Sequence, residues 1–205
     1  MTAQIEDKFH YKSREYHLVG ISGERLFKPS QFDLEPEMAT TACYRGYQAF
    51  FTISENCLVL DDLYVKLYKG EPPERGHRRE EYVFKKGPEI NGISPTKPED
   101  SSCDFNNYYQ NLNYELDYTG GLLIADKFIQ DLYEHLGFQP PWKYKKVIEL
   151  TFEKGILQKE LDQSENMAKV RDKHLEAKRN GDESFRQGGI VRYINESFDR
   201  SYYKK

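Results

Sequence analysis

The sequence is poor in the residues from which several common functions are built. It holds one tryptophan, three methionines and three cysteines in 205 residues. Cys43, Cys57 and Cys103 are odd in number, far apart and outside any CxxC spacing, so they support neither a disulfide framework nor a zinc knuckle. No apolar run approaches the ~20 residues of a helical membrane span. Met1 to Phe9 carries acids and no apolar stretch of the kind a secretory leader needs, which makes a cytoplasmic location the expectation. The glycine spacings of phosphate loops and dinucleotide folds are missing, as are the GxSxG elbow and HExxH. His77 with Glu80 and Glu81, and Glu134 with His135, lack the repeated spacing of metal ligands, so no metal and no cofactor is assigned.

What the chain does have is aromatic and charged. Only 38% of residues are hydrophobic against 31% charged, yet sixteen tyrosines and twelve phenylalanines stand in runs such as Tyr47 to Leu60. Aromatic rings therefore supply much of the burial that aliphatic side chains usually provide. The charge is uneven: residues 1–163 carry minus seven and residues 164–205 plus three. An acidic body does not favour nucleic acid as its main partner.

Alternation and turn residues predict an α+β fold with an antiparallel, β-rich core. One hairpin breaks at Ser54-Glu55-Asn56 and another at Glu153-Lys154-Gly155. Pro29 suits the first turn of a brief helix. Phe128, Ile129, Leu132 and Leu136 predict a longer helix from Asp126, stopped at Gly137. Three blocks suggest an internal pseudo-duplication of about 16–63 and 114–161. Tyr16, Leu18 and Gly23 are echoed by Tyr114, Leu116 and Gly121. Leu26, Phe27 and Phe32 are echoed by Leu123, Ile124 and Ile129, and Thr52, Ile53 and Leu58 by Thr151, Phe152 and Leu157.

The expected organisation is a core domain over 1–163 with a long polar insertion at about 70–113, containing one strand at Tyr82 to Phe84. A helical extension occupies 164–205. Its first helix is capped by Ser164, carries Met167, Val170 and Leu175 and ends at Asn180-Gly181; a second runs from Ile190 to Phe198.

Cys43 lies beside Arg45, and a cation favours the thiolate. A general base would have to come from His10, His17, His77, His135 or His174, none at a telling spacing, so no catalytic residue is assigned and a buried core thiol is the ordinary expectation. The glycines at 20, 23, 120 and 121 read as turn positions. The remaining candidates are two aromatic-cationic loops that precede the hairpins, Tyr44, Arg45 and Tyr47 in one and Trp142, Lys143 and Tyr144 in the other. These are residue types enriched at binding hot spots.

The leading expectation is a non-catalytic protein-binding module, such as an immunity or antitoxin-like inhibitor or an accessory subunit of a bacterial system, with the two loops as its partner face. The alternative is a small-ligand protein or enzyme with its site between the two units around Cys43 and Arg45. A third class is nucleic-acid binding by the tail, through Lys169, Arg171, Lys173, Lys178 and Arg179 with Tyr193, Phe198 and Tyr202 stacking. Acids interleaved at Asp172, Glu176, Asp182 and Glu183 weigh against it.

Overall fold

Three two-residue turns set the strand register. Lys12-Ser13, Glu55-Asn56 and Lys154-Gly155 each hold two consecutive residues at positive φ, the conformation whose twist matches that of the strands it joins. They connect β1 (Lys8–Tyr11) to β2 (Arg14–Gly23), β3 (Tyr47–Ser54) to β4 (Cys57–Val65), and β10 (Tyr144–Glu153) to β11 (Ile156–Asp162). The last two are the hairpins expected from the alternation pattern. The computed structural model describes residues 2–23, 26–69, 83–99, 104–180 and 199–202.

The fold is α+β: among the described residues, a strand-rich core with one C-terminal helix, α1 (Ser164–Arg179). β9 (Gly120–Phe128) joins the two halves by pairing antiparallel with both β10 and β2. The main sheet runs β11-β10-β9-β2-β1-β3-β4. It closes on itself where the tips of the hairpins meet, Cys57 opposite Ile156. There Leu58 N donates to Gly155 O at 2.8 Å and Leu157 N to Asn56 O at 3.0 Å. Closure removes exposed strand edges. Between the named strands, pairing is antiparallel except between β1 and β3, which run parallel.

Within the ring, Phe9, Leu18, Phe51, Leu58, Leu60, Leu122, Ile124, Leu150 and Phe152 pack as one buried cluster. Val19, Leu123, Ala125, Tyr144 and Val147 point to the other side, where Met167 of α1 and Tyr202 cover them. β9 is thus buried on both faces, and this overturns the helix expected from Asp126. The strand continues to Phe128 and gives way to a single 3-10 turn, Gln130–Leu132. A continuously apolar segment satisfies a two-sided strand as readily as a helix face. The brief helix at Pro29 is likewise a 3-10 turn, Pro29–Phe32.

The structure does not confirm the internal duplication. The two hairpins correspond, but the segment aligned with β2 holds the two-residue β8 (Tyr114–Glu115), paired with β4, and only the first residues of β9. β1, which separates β2 from β3, has no counterpart between β9 and β10.

The polar insertion is less loop-like than expected. β5 (Tyr68–Lys69) pairs with β6 (Val83–Phe84), at the position of the expected strand, and β7 (Asn107–Tyr109) pairs with β4. α1 begins at Ser164, but the Ser164 hydroxyl accepts from Val147 N at 3.0 Å instead of capping the helix. Asn180 ends it. The second helix expected at 190–198 falls outside the described residues. No helix among the described residues is long and apolar enough to cross a membrane.

Candidate ligand cavity

Asp7 precedes β1 and is buried, so its carboxylate requires partners. It has four hydrogen bonds from three residues. Ala49 N donates to Oδ1 at 2.9 Å, while Arg45 donates through Nη1 to Oδ2 at 2.7 Å and through Nη2 to Oδ1 at 2.9 Å. Arg200 Nη2 donates to Oδ2 at 2.9 Å. Burial pulls the Asp7 carboxyl upward, but the charges of Arg45 and Arg200, with the hydrogen bonds from Arg45 and Ala49, prevail and hold it at about 2.

Each arginine is placed by its own segment. Arg45 sits in a tight turn in which Cys43 O accepts from Ala39 N and Gly46 N. Gly46 has φ +71°, and a Cβ there would meet the Glu37 carbonyl. That close approach explains the glycine. Arg200 arrives on the C-terminal segment, where Ile21 N donates to Arg200 O at 2.8 Å and Tyr202 N to Ile21 O at 3.1 Å. Phe138 lies beneath both guanidinium groups, 5.4 Å from Arg45 and 4.7 Å from Arg200, and the Tyr47 ring lies 4.6 Å from Arg45, all within cation–π range. Burial, then the charge of Asp7, pushes the Tyr47 phenol up, so it stays neutral.

These groups line a cavity of about 730 Å³. Leu26, Phe27, Leu34 and Phe51, which belong to the main core, also contribute to its wall. Among the described residues, the charged ones lining it are Asp7, Lys28, Arg45, Asp199 and Arg200. This open cleft combines an apolar backing with a few convergent polar groups, the mixture of chemistries that small-molecule sites use.

The six residues of the two loops divide between very different environments. Arg45 and Tyr47 line the cavity. Tyr44 is 44% exposed, and its backbone N–H donates to Gln4 Oε1. Lys143 is buried, its ammonium donating to Glu134 Oε2 and Gln139 Oε1, both at 3.0 Å. Tyr144 is buried against Phe128 and His17. Trp142 stacks on His174 of α1 with ring centroids 4.6 Å apart. The segments just before the two loops both bond to the N-terminal segment. Ile5 N donates to Ala42 O, Gln4 N to Gly137 O and Gln139 N to Glu6 Oε1.

Cys43 is buried beside Ala39 and Phe105, with its thiol donating to Tyr47 O at 3.4 Å. His10 and His17 face Glu15 and Glu6 at 3.5 Å, and His135 accompanies the Tyr133 hydroxyl at 3.0 Å. On α1, Lys169 pairs with Glu165, and Arg171 donates to the Trp142 and Tyr144 carbonyls. Tyr202 donates to Glu149. His77, Tyr193 and Phe198 lie outside the described residues. Among the described residues, no three His, Cys, Asp or Glu side chains gather as a metal site would require.

Sequence reasoning found Arg45 and Tyr47 but missed Asp7, Phe138 and Arg200. No local pattern marks them, because the carboxylate and its second arginine are separated by 193 positions. No protein-family model matches the chain, and no curated protein and no solved structure matches it either.

Proposed function

We propose that the protein is a cytoplasmic ligand-binding protein whose site is the cavity lined by Arg45, Tyr47, Phe138 and Arg200. One observation carries the reading: a single buried carboxylate holds two arginines against the wall of a cavity about 730 Å³ in volume. Fixing both guanidinium groups in advance reduces the ordering cost that a ligand would otherwise meet. This reading corresponds to the small-ligand alternative around Arg45, with Cys43 as a core residue.

Ligand-observed NMR on a mixture of small aromatic and aliphatic fragments tests it, comparing the natural protein with Ser30→Trp, an exposed position on the cavity lining. The reading predicts saturation transfer to a subset of fragments that the indole abolishes. Equal transfer in the two proteins would place fragment binding elsewhere and defeat the reading.

A protein-binding surface is the second reading. It is favoured by Met38 and Tyr44, both exposed, which flank the turn in which Ala39 N donates to Cys43 O. Tyr44→Ala would abolish capture of such a partner while leaving fragment binding in the cavity unchanged.

A further inference from the structure

We propose that the cavity selects a singly charged carboxylate carrying an apolar body, with Arg45 and Arg200 receiving the carboxylate and Asp7 acting as a positioning residue that aims them. This inference rests on the reading of the cavity as a ligand site and names the chemical class of its ligand.

The charge of the lining sets the sign and size of the ligand's charge. Asp7 neutralises one of the two guanidinium groups it touches, which leaves an excess of one positive charge held in a largely desolvated place. Lys28 and Asp199, the other charged residues of the lining among the described residues, cancel each other in the sum. A monoanion completes the balance. A dianion such as a phosphate monoester would leave a negative charge uncompensated beside the buried Asp7, which low-dielectric surroundings penalise.

The donors needed are present. Arg45 uses Nη1 and Nη2 on Asp7 and on Ile5 O, and Arg200 uses Nη2 on Asp7 and Nη1 on Leu18 O. Among the described residues neither Nε–H has an acceptor, and each guanidinium carries five N–H groups in a fixed fork. The shared Phe138 ring and the Tyr47 ring restrict how these planes rotate. Carboxylate recognition by arginine depends on that geometry. The remainder of the wall explains the apolar body. Leu26, Phe27, Leu34 and Phe51, each no more than 6% exposed, back the cavity with hydrocarbon, and Phe27 packs edge-on to Tyr47 at 5.4 Å. An aryl or alkyl group satisfies that wall; a hydrophilic one would give up its hydration without compensation.

Half of the cationic pair comes from the C-terminal segment. Arg200 is held by backbone bonds to Ile21 and by the Tyr202 hydroxyl on Glu149 at 3.1 Å. Replacing its side chain therefore leaves other attachments of the segment in place, so Arg200→Gln is a mild test of the site.

Two-dimensional amide NMR on the full chain tests the proposal, with benzoate, its neutral isostere benzamide and inorganic phosphate as probes. Benzoate is expected to shift amides of residues 26–30, 45–51 and 199–201 saturably. Its affinity should exceed that of benzamide by about tenfold or more, the size of a charge-assisted contact. At about pH 8, where inorganic phosphate is mainly the dianion, phosphate should bind more weakly than benzoate. Arg200→Gln should abolish the preference for benzoate, and Arg200→Lys should restore part of it, while strand amides remote from the cavity keep their positions. If benzamide binds as well as benzoate, the cavity is a ligand site but the carboxylate assignment is wrong. If phosphate binds more tightly than benzoate, the monoanion argument is overturned. If none of the three shifts these amides at millimolar concentrations, both the assignment and the reading beneath it fail.

Discussion

Arg200 Nη2 lies 2.9 Å from Asp7 Oδ2, so a residue in the last described segment is ion-paired to one that precedes the first strand. The same carboxylate accepts two hydrogen bonds from Arg45. One buried group thereby fixes the N-terminal segment, the turn before β3 and the C-terminal segment against one another. Removing it would leave two guanidinium groups close together with no anion between them.

Asp7→Asn is therefore expected to destabilise the fold by about 3–5 kcal/mol, the range for breaking a buried ion pair from one side. Urea denaturation monitored by far-ultraviolet circular dichroism measures it. Arg200→Gln should lose less, since Arg45 still neutralises the carboxylate. A loss for Asp7→Asn of about 0.5 kcal/mol, ordinary for a surface substitution, would show that the pair does not hold the fold.

Stability should also depend on acid in a defined direction. The folded-state value of Asp7 is about 2, against an ordinary 3.8. A carboxyl lowered on folding contributes stability that is complete above its unfolded value and is lost as pH falls through the folded one. Asp7 thus contributes about 2 kcal/mol near neutrality, which disappears between about pH 4 and pH 2. Urea midpoints measured across that interval should fall in the natural protein more steeply than in Asp7→Asn. Parallel curves for the two proteins would contradict the assignment.

Gly46→Ala is predicted to cost about 2 kcal/mol or more, because it combines a left-handed backbone with a side chain facing a carbonyl. The φ is +71° and the obstructing atom is Glu37 O. The accompanying displacement of Arg45 should weaken benzoate binding beyond what the lost stability alone explains. Gly92 has a similar φ of +77° but open space around its missing Cβ. Gly92→Ala is the matched control and should lose clearly less.

The parts legible in the sequence were those specified locally. The hairpins at Glu55-Asn56 and Lys154-Gly155 combine side-chain alternation with residues that accept positive φ, and both signals lie within a few residues of the turn. The helix expected from Asp126 failed for a physical reason. Leu122 to Ala125 is buried on both faces of β9, and the apolar residues just beyond, Phe128, Ile129 and Leu132, happen to share helical spacing. The parallel pairing of β1 with β3 was not legible, since KFHY is too short to show a period and its partner lies some forty positions away. In the cavity, Arg45 stood out through its aromatic neighbours. Asp7 and Arg200 did not, because an acid among acids and an arginine in a basic tail acquire meaning only when the ring of strands brings these distant segments together.

Trp142 is the only tryptophan and stacks on His174 at an interplanar angle of 14°, so tryptophan fluorescence reports on the surroundings of one side chain. Burial lowers the His174 value below the ordinary 6.5, against an opposing pull from Glu134. A protonated imidazole quenches a stacked indole. Emission should therefore fall as pH is lowered, with a midpoint below 6.5. His174→Gln should remove the transition. A transition that survives this substitution would show that a group other than His174 quenches Trp142 and would contradict the assignment.

The most direct test of the central claim is a crystal structure of the full chain soaked with 4-bromobenzoate, using the anomalous signal of bromine to locate the ligand. The account predicts one dominant bromine peak within the cavity, over the wall formed by Leu26, Phe27, Leu34 and Phe51, with the carboxylate against Arg45 and Arg200. A dominant peak elsewhere, or an empty cavity at concentrations where benzoate shifts the amide spectrum, would contradict it.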